Sequence, residues 1–458
     1  MSLDLTATQR DAVGLTYVLE RLACATPYGR ELAKQLTPYA AHDLGGLLRV
    51  HDNMDAVFGL YARNASAISD LRDVMAHFGF VTPMLLNCQN APLGEVEMFE
   101  IKGFLLTFER FLPMFAALDT DFAGIGFTPT TAALDVLDPK RNRISPFYIE
   151  DDASPALADI RRAKRRLGAD DPERTKTAAL EDAEEQRILA DLSRRLGTHI
   201  PAILDNITSL GQLDFTIAKA LLAQELGGVR PKITQDRYAL TNMFNPMVAA
   251  TLDGNFTKTS TRLDGGTTII TGANMGGKSV AIRTAALNAA LCRLGFYVFA
   301  EAAEIPLFDG ICLISEDLQD ARRGLSSFGA EIARIKEITA ASRENFLFIA
   351  LDEPARATNP AEGAAITRAL AAFFAETATR CVCLISTHYD GVVQDGMRHY
   401  QVAGLRADVA DAAFVGDWMD YSLIETDSIA PPPRDALRIC EIMGLDAELL
   451  EGIAAELR

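Results

Sequence analysis

The segment Gly272-Ala-Asn-Met-Gly-Gly-Lys-Ser279 constrains this chain more than any other, because it fits the pattern G-x-x-x-x-G-K-S without a mismatch. An apolar run at 267–271 precedes it, and a helical periodicity over 280–294 follows. Strand, glycine-rich turn and helix in that order make a phosphate-binding loop in an α/β domain. Gly272, Gly276 and Gly277 let backbone N–H groups turn toward phosphate oxygens, where a helix N-terminus adds its positive end. Lys278 is then placed to neutralise β- and γ-phosphate oxygens, and Ser279 to set its hydroxyl on Mg²⁺. Ala273, Asn274, Met275 and Val280 complete the loop and the first helical turn.

Two further strand ends belong with this loop. Residues 346–351 are all apolar and run into Asp352-Glu353. A buried strand ending in carboxylates presents them at the sheet edge where ligands of open α/β sheets bind. Asp352 is the expected Mg²⁺ support, and Glu353 the group that orients or deprotonates an attacking water. A third strand, 381–386, ends in Thr387-His388, which places an imidazole on the same edge and within reach of a γ-phosphate. His42, His51, His77, His199 and His399 share no spacing and read as structural.

The rest of the chain divides in character. The first 230 residues carry helical periodicity, as in Leu15, Val18, Leu19 and Leu22, and around 43–62, 94–118, 155–167 and 179–226. The polar stretch 168–178 reads as the tip of a helical hairpin. From Pro231 short apolar strands alternate with helices, the pattern of a mostly parallel sheet. After Gly404 the strands become unclear, and Pro431-Pro-Pro433 precedes a last amphipathic stretch. With 458 residues the chain exceeds one ordinary domain. Its net charge of −18 does not suit a protein that lives by non-specific nucleic-acid binding, although a local basic patch is compatible with it. Arg161-Arg-Ala-Lys-Arg-Arg166 is such a patch. It reads as a solvated helix face countered by Glu181, Asp182, Glu184 and Glu185, or as a phosphate contact. No apolar run approaches membrane-spanning length, and the first residues lack a secretory leader's pattern, so no membrane is expected. The seven cysteines show no metal-ligand or disulfide spacing, and a reduced, cytoplasmic protein is expected.

The loop residues Thr271 to Ser279, with Asn274-Met275 inside, resemble those of the MutS family of ABC-type ATPases. Asp352-Glu-Pro-Ala-Arg-Ala-Thr-Asn-Pro-Ala-Glu-Gly363 resembles that family's Asp-Glu-x-x-Arg-Gly-Thr segment, with Ala357 where glycine is usual. Ser386-Thr-His-Tyr389 resembles its histidine switch. Gly324-Leu-Ser-Ser-Phe-Gly-Ala-Glu331 resembles its signature loop, with Ser327 in place of threonine. The resemblance extends through 15–36, 152–161 and 184–223 to the family's core and lever helices, most like the MutS2 branch. It implies a helical core/lever domain at 1–230, an ABC-type P-loop α/β ATPase domain at 231–430, and a helical dimerisation segment at 431–458.

It further implies ATP and Mg²⁺ as cofactors and a homodimer or a heterodimer with a related subunit. Ser326 and Ser327 would then complete the partner's nucleotide site. Phe256 is a candidate for stacking on adenine, or a core residue. Mismatch-finding members carry a recognition domain and a connector before the core, and a clamp between the levers. Here the core pattern begins by residue 15 and only 168–178 stands in the clamp's place, so a short form is expected. Short chains of this kind resemble reactivating factors of B12-dependent aminomutases. A protein client is therefore the first expectation, mismatched or branched DNA the second, and a slowly hydrolysing nucleotide-gated scaffold the third.

Overall fold

A computed structural model describes residues 3–88, 90–168, 170–252, 256–272, 276–315, 327–376, 380–406, 419–427 and 436–456. Ala273, Asn274, Met275 and Ser326, and the side chain of Ser327, lie outside that description. The chain forms two compact units, each discontinuous in sequence. One comprises Met1–Leu22, Thr37–His51 and Leu221–Arg458, the other Ala23–Leu36 and Asp52–Ala220.

The first unit holds the strands. In chain order they are β1 (Lys232–Thr234), β2 (Tyr238–Met243), β3 (Thr259–Leu263), β4 (Gly266–Thr271), β5 (Ala302–Pro306), β6 (Gly310–Ile314), β7 (Leu347–Asp352), β8 (Cys381–Thr387), β9 (Arg398–Leu405) and β10 (Met419–Glu425). Six of them form a sheet in the order β10-β9-β4-β8-β7-β6. It is parallel throughout except where β10 pairs antiparallel with β9. Every residue of β4, β6, β7 and β8 is buried, which is why these strands read as short runs without polar alternation, their few polar residues being threonines and serine in β4 and β8 and Asp352 at the end of β7. Thr271 stands opposite Thr387, and Asp352 opposite Ser386, so β4, β8 and β7 end on one edge. The helix Lys278–Arg293 starts from that edge, and the buried residues of its inner face include Ala281, Ile282, Ala285 and Leu287.

Edge strand β6 is covered by the chain's own beginning. The Ile311 N–H donates to the Leu3 carbonyl at 2.7 Å, and Gln9 Nε2 to the Leu313 carbonyl at 2.8 Å. Capping an edge in this way removes a template for unwanted strand pairing. A second sheet, in the order β1-β5-β2-β3, has one parallel and two antiparallel pairs. Periodicity does not foresee it, because its strands are short and half exposed. The strand β10, unclear in the sequence, pairs with β9 through a register shift between Asp420 and Leu423.

The second unit is helical. Phe78, Phe104, Phe108, Phe111, Phe115 and Phe127 pack as a chain of rings, with Phe115 and Phe127 centroids 4.8 Å apart and edge-on. Asp214 is buried in the helix Ile200–Leu226. It accepts the N–H groups of Ala25 (2.9 Å) and Thr26 (2.7 Å) and the Thr26 hydroxyl (2.7 Å), fixing the start of the helix Pro27–Lys34, which Thr26 caps. The period expected to run over 179–226 is broken near Thr198 into Glu173–Gly197 and Ile200–Leu226. The hairpin lies between Pro155–Arg166 and Glu173–Gly197, and its tip is shorter than the polar composition suggests, since residues from Glu173 are already helical. Among the described residues, no helix is long and apolar enough to cross a membrane. None of the seven cysteines is in a disulfide, and no described cluster of His, Cys, Asp and Glu has the makings of a metal site.

Candidate functional site

Lys278 is the first residue of its helix and is almost fully buried at 4% exposure. Its Nζ donates to the Gly272 carbonyl at 2.8 Å and lies 3.3 Å from Glu353 Oε1. The glycines on either side are required by geometry. Gly277 has φ +85°, and a Cβ there would meet the Tyr421 ring at 3.0 Å; Gly272 has φ +139°, and its Cβ would press on Val402 at 3.0 Å. The strand end before the loop is pinned by a 2.7 Å hydrogen bond between Thr271 Oγ1 and the buried His399 Nε2.

Opposite, the chain turns sharply after β7. Glu353 (φ 50°) and Ala355 (φ 60°) both take left-handed backbone conformations, which cost about 1–3 kcal/mol each in non-glycine residues. Such strain persists only where neighbours over-determine it. The Ser386 hydroxyl donates to Asp352 Oδ1 at 2.6 Å and accepts the Glu353 N–H at 3.0 Å. Thr367 Oγ1 donates to the Pro354 carbonyl at 3.1 Å. Glu331 Oε1 accepts the Ala355 N–H at 2.8 Å, and the Tyr389 hydroxyl donates to the Ala355 carbonyl at 3.3 Å.

Glu353 thus sits among basic side chains. Arg356 Nη1 is 3.1 Å and His388 Nδ1 3.7 Å from its Oε2. Neither approach is a hydrogen bond, so Glu353 Oε2 and His388 Nδ1 are buried polar atoms without one. Burial pushes the Glu331 carboxyl up, against the Ala355 N–H that pulls it down. Tyr389 is likewise raised, by burial first and then by the charges of Glu353 and Glu331.

Lys278, Glu353 and Arg356 open on a cavity of about 680 Å³. Its walls include Gly276, Gly277, Lys278, Ser279 and Val280 from the loop, Glu353 and Arg356 from the turn, and Phe244, Phe256, Met419 and Tyr421 across from them. The structure therefore brings Gly272, Lys278, Glu353 and His388 together, and places Ser279, Val280 and Phe256 on the same cavity. Asp352 is buried at 8% exposure at the end of β7, in the hand of Ser386. Sequence reasoning assigned no role to Arg356, Ser386 or Tyr421. Arg356 and Ser386 stand inside motifs already singled out, but nothing local marks Tyr421, which reaches the cavity through the unforeseen β10.

The basic run behaves as a partnered face. Arg161 bonds Glu181 (3.0 Å), Glu185 (2.7 Å) and Asp151 (2.9 Å), and Arg162 pairs with Asp159 (2.9 Å). Lys164 pairs with Glu181 and Arg165 with Asp151.

A buried, mainly parallel sheet with a strand–glycine turn–helix lysine beside a strand-end carboxylate defines the ATPase-type α/β domain. The family model of MutS domain V matches residues 268–426, which marks that stretch as a MutS-type domain. Similar curated proteins include the DNA mismatch repair protein MutS of Shouchella clausii, 29% identical over 54% of this chain and 30% of its own length. The endonuclease MutS2 of Thermus thermophilus is 31% identical over 50% of this chain and 30% of its own length. That of Exiguobacterium sibiricum is 29% identical over 59% of this chain and 33% of its own length. The matched stretch thus spans about a third of each relative.

Proposed function

We propose that this chain is a Mg²⁺-dependent ATPase that works as a dimer with composite sites and couples ATP binding and hydrolysis to movement of its helices on a macromolecular client. The observation that carries it is the 3.3 Å approach of Lys278 to Glu353 at the wall of a nucleotide-sized cavity. In this reading the chain is organised as a helical core/lever domain at 1–230, a P-loop ATPase domain at 231–430 and a dimerisation segment at 431–458. Lys278 and the loop from Gly272 to Val280 hold the phosphates, and Phe256 stacks on adenine. Glu353 accepts the proton of the attacking water and His388 contacts the γ-phosphate. Ser326 and Ser327 complete the partner's site.

The residues present fit Mg²⁺. Ser279 and Asp352 offer the hydroxyl and carboxylate oxygens that this hard cation takes. Glu353 Oε2 and His388 Nδ1, which make no hydrogen bond, are atoms that a hydrated ligand would satisfy. When bound, the ion neutralises charge on the β- and γ-phosphate oxygens. Lys278 has to exchange Glu353 for phosphate, which frees the carboxylate to turn toward water.

A protein client is the favoured reading, and the family resemblance suggests a B12-dependent aminomutase in need of reactivation. The ion pairing of Arg161, Lys164 and Arg165 supports it, since those cations are already engaged. The second reading is binding of mismatched or branched DNA, after the names of the relatives. Phosphate release with and without Mg²⁺ tests the activity. Lys278→Ala is expected to abolish nucleotide binding or turnover. Glu353→Gln is expected to keep binding and slow turnover by about 10²–10⁴-fold, as loss of a general base does. Normal hydrolysis by Glu353→Gln would remove Glu353 from the role.

A further inference from the structure

The peptide unit on either side of Ala355 is gripped from two directions, and nothing in the nucleotide-holding role of the loop requires that. Glu331, in the helix Ser327–Ala341, takes its N–H at 2.8 Å. Tyr389, two residues past the end of β8, gives its hydroxyl to the carbonyl at 3.3 Å. Room for the second contact depends on a glycine: a Cβ on Gly363 would lie 2.4 Å from the Tyr389 hydroxyl and 2.9 Å from the Ala355 carbonyl oxygen. Three segments distant in sequence therefore meet on one residue. That residue has a left-handed backbone (φ 60°) and follows Glu353 by two positions, which is itself left-handed (φ 50°). Left to itself an alanine or a glutamate relaxes from this region. The grip thus adds to the direct contacts of Lys278, Arg356 and Ser386 in setting the backbone from which the Glu353 carboxylate projects.

We propose that Glu331 and Tyr389 are positioning residues for hydrolysis, holding the Ala355 peptide so that the Glu353 carboxylate is aimed into the cavity. The inference rests on reading Glu353 as the group that activates water. Neither residue touches the nucleotide in this scheme. Their removal is expected to lower turnover while leaving nucleotide affinity in place, because misplacement of a catalytic group by an ångström can cost about 10²-fold.

The experiment uses the full chain with Mg²⁺ and ATP, and reads equilibrium nucleotide binding beside single-turnover hydrolysis. Glu331→Ala and Tyr389→Phe are expected to slow hydrolysis about tenfold or more with dissociation constants within about twofold of the parent. Glu331→Gln, which keeps an acceptor oxygen for the Ala355 N–H, is expected to restore most of the rate. In a Glu353→Gln background, Glu331→Ala is expected to add no further loss, since residues acting through one group are non-additive. Tyr389→Phe removes one hydroxyl and keeps the ring, so it reports even if Glu331→Ala fails to fold. Parental rates in both Glu331→Ala and Tyr389→Phe, alongside a slow Glu353→Gln, would overturn the positioning role alone. A fully additive loss in the Glu353→Gln background would overturn it as well. A Glu353→Gln protein that hydrolyses ATP normally would instead overturn the reading of the base.

Discussion

At the scale of single residues, Ser386 shows how little material the site spends on holding two acids. Its one proton goes to Asp352 at 2.6 Å, and its oxygen takes the Glu353 N–H at 3.0 Å. A hydrogen bond to a charged carboxylate contributes about 1.5–3 kcal/mol, and losing it leaves Asp352 free to choose another rotamer. Ser386→Ala removes both contacts and only one heavy atom. The Mg²⁺ concentration for half-maximal turnover is expected to rise about tenfold, the equivalent of ~1.4 kcal/mol. A Mg²⁺ titration of the rate, at saturating ATP, checks this. An unchanged midpoint would show that Asp352 needs no help. Lys278, Asp352 and His388 stand out in the sequence because each starts a helix or follows an apolar run. Ser386 was visible only as a letter beside the histidine, since its work lies in a cross-strand pairing that a single strand does not reveal.

At the scale of elements, legibility follows burial. The strands β4, β6, β7 and β8 are buried on both faces and announce themselves as apolar runs. The strand β3, with two of its five residues exposed, does not. The chain's first residues join β6 through Leu3 and Gln9, a pairing across some three hundred positions that no periodicity encodes.

The helix Ile200–Leu226 hides a second kind of information. Its Lys219 is 2% exposed, with Nζ 4.3 Å from the Phe215 ring centroid, and burial lowers its pKa to about 7. An unfolded lysine keeps its proton to about 10.4. Between pH 7 and 9 the unfolded chain therefore binds more protons at this residue than the folded one, and stability rises with pH by about 2 kcal/mol. The neighbouring Cys24, raised to about 12 by burial and then by Asp214, works the other way only above its unfolded pKa of about 8.5–9. Asp214 is itself raised by burial, against the Thr26 and Ala25 donors that pull it down. Lys219→Met is expected to raise the thermal midpoint at pH 7 and to flatten its rise from pH 7 to 9. Midpoints measured across that range for both proteins check it, and an unchanged slope would assign the pH dependence elsewhere.

At the scale of the whole molecule, charge decides between the two clients. A duplex-binding protein that neutralises six to ten phosphates loses about 10³–10⁵ in affinity between 50 and 200 mM salt, because its affinity is largely counterion release. This chain carries a net −18, and Arg161, Arg162, Lys164 and Arg165 of its clearest basic run are paired with Asp151, Asp159, Glu181 and Glu185. A phosphate contact made by any of these four has to displace an existing carboxylate. The ATP-loaded state is the one to ask, and Glu353→Gln is expected to hold it. That protein with ATP is expected to bind duplex DNA weakly at low salt and not at physiological salt, whether matched, mismatched or branched. Sedimentation of the same sample is expected to show dimers that require ATP. Tight binding that survives physiological salt and prefers mismatched or branched DNA would restore the DNA reading. It would also mean that cations other than the Arg161 to Arg166 run do the gripping. The expected outcome, dimers without DNA, leaves the work of the ATP cycle to be done on a protein.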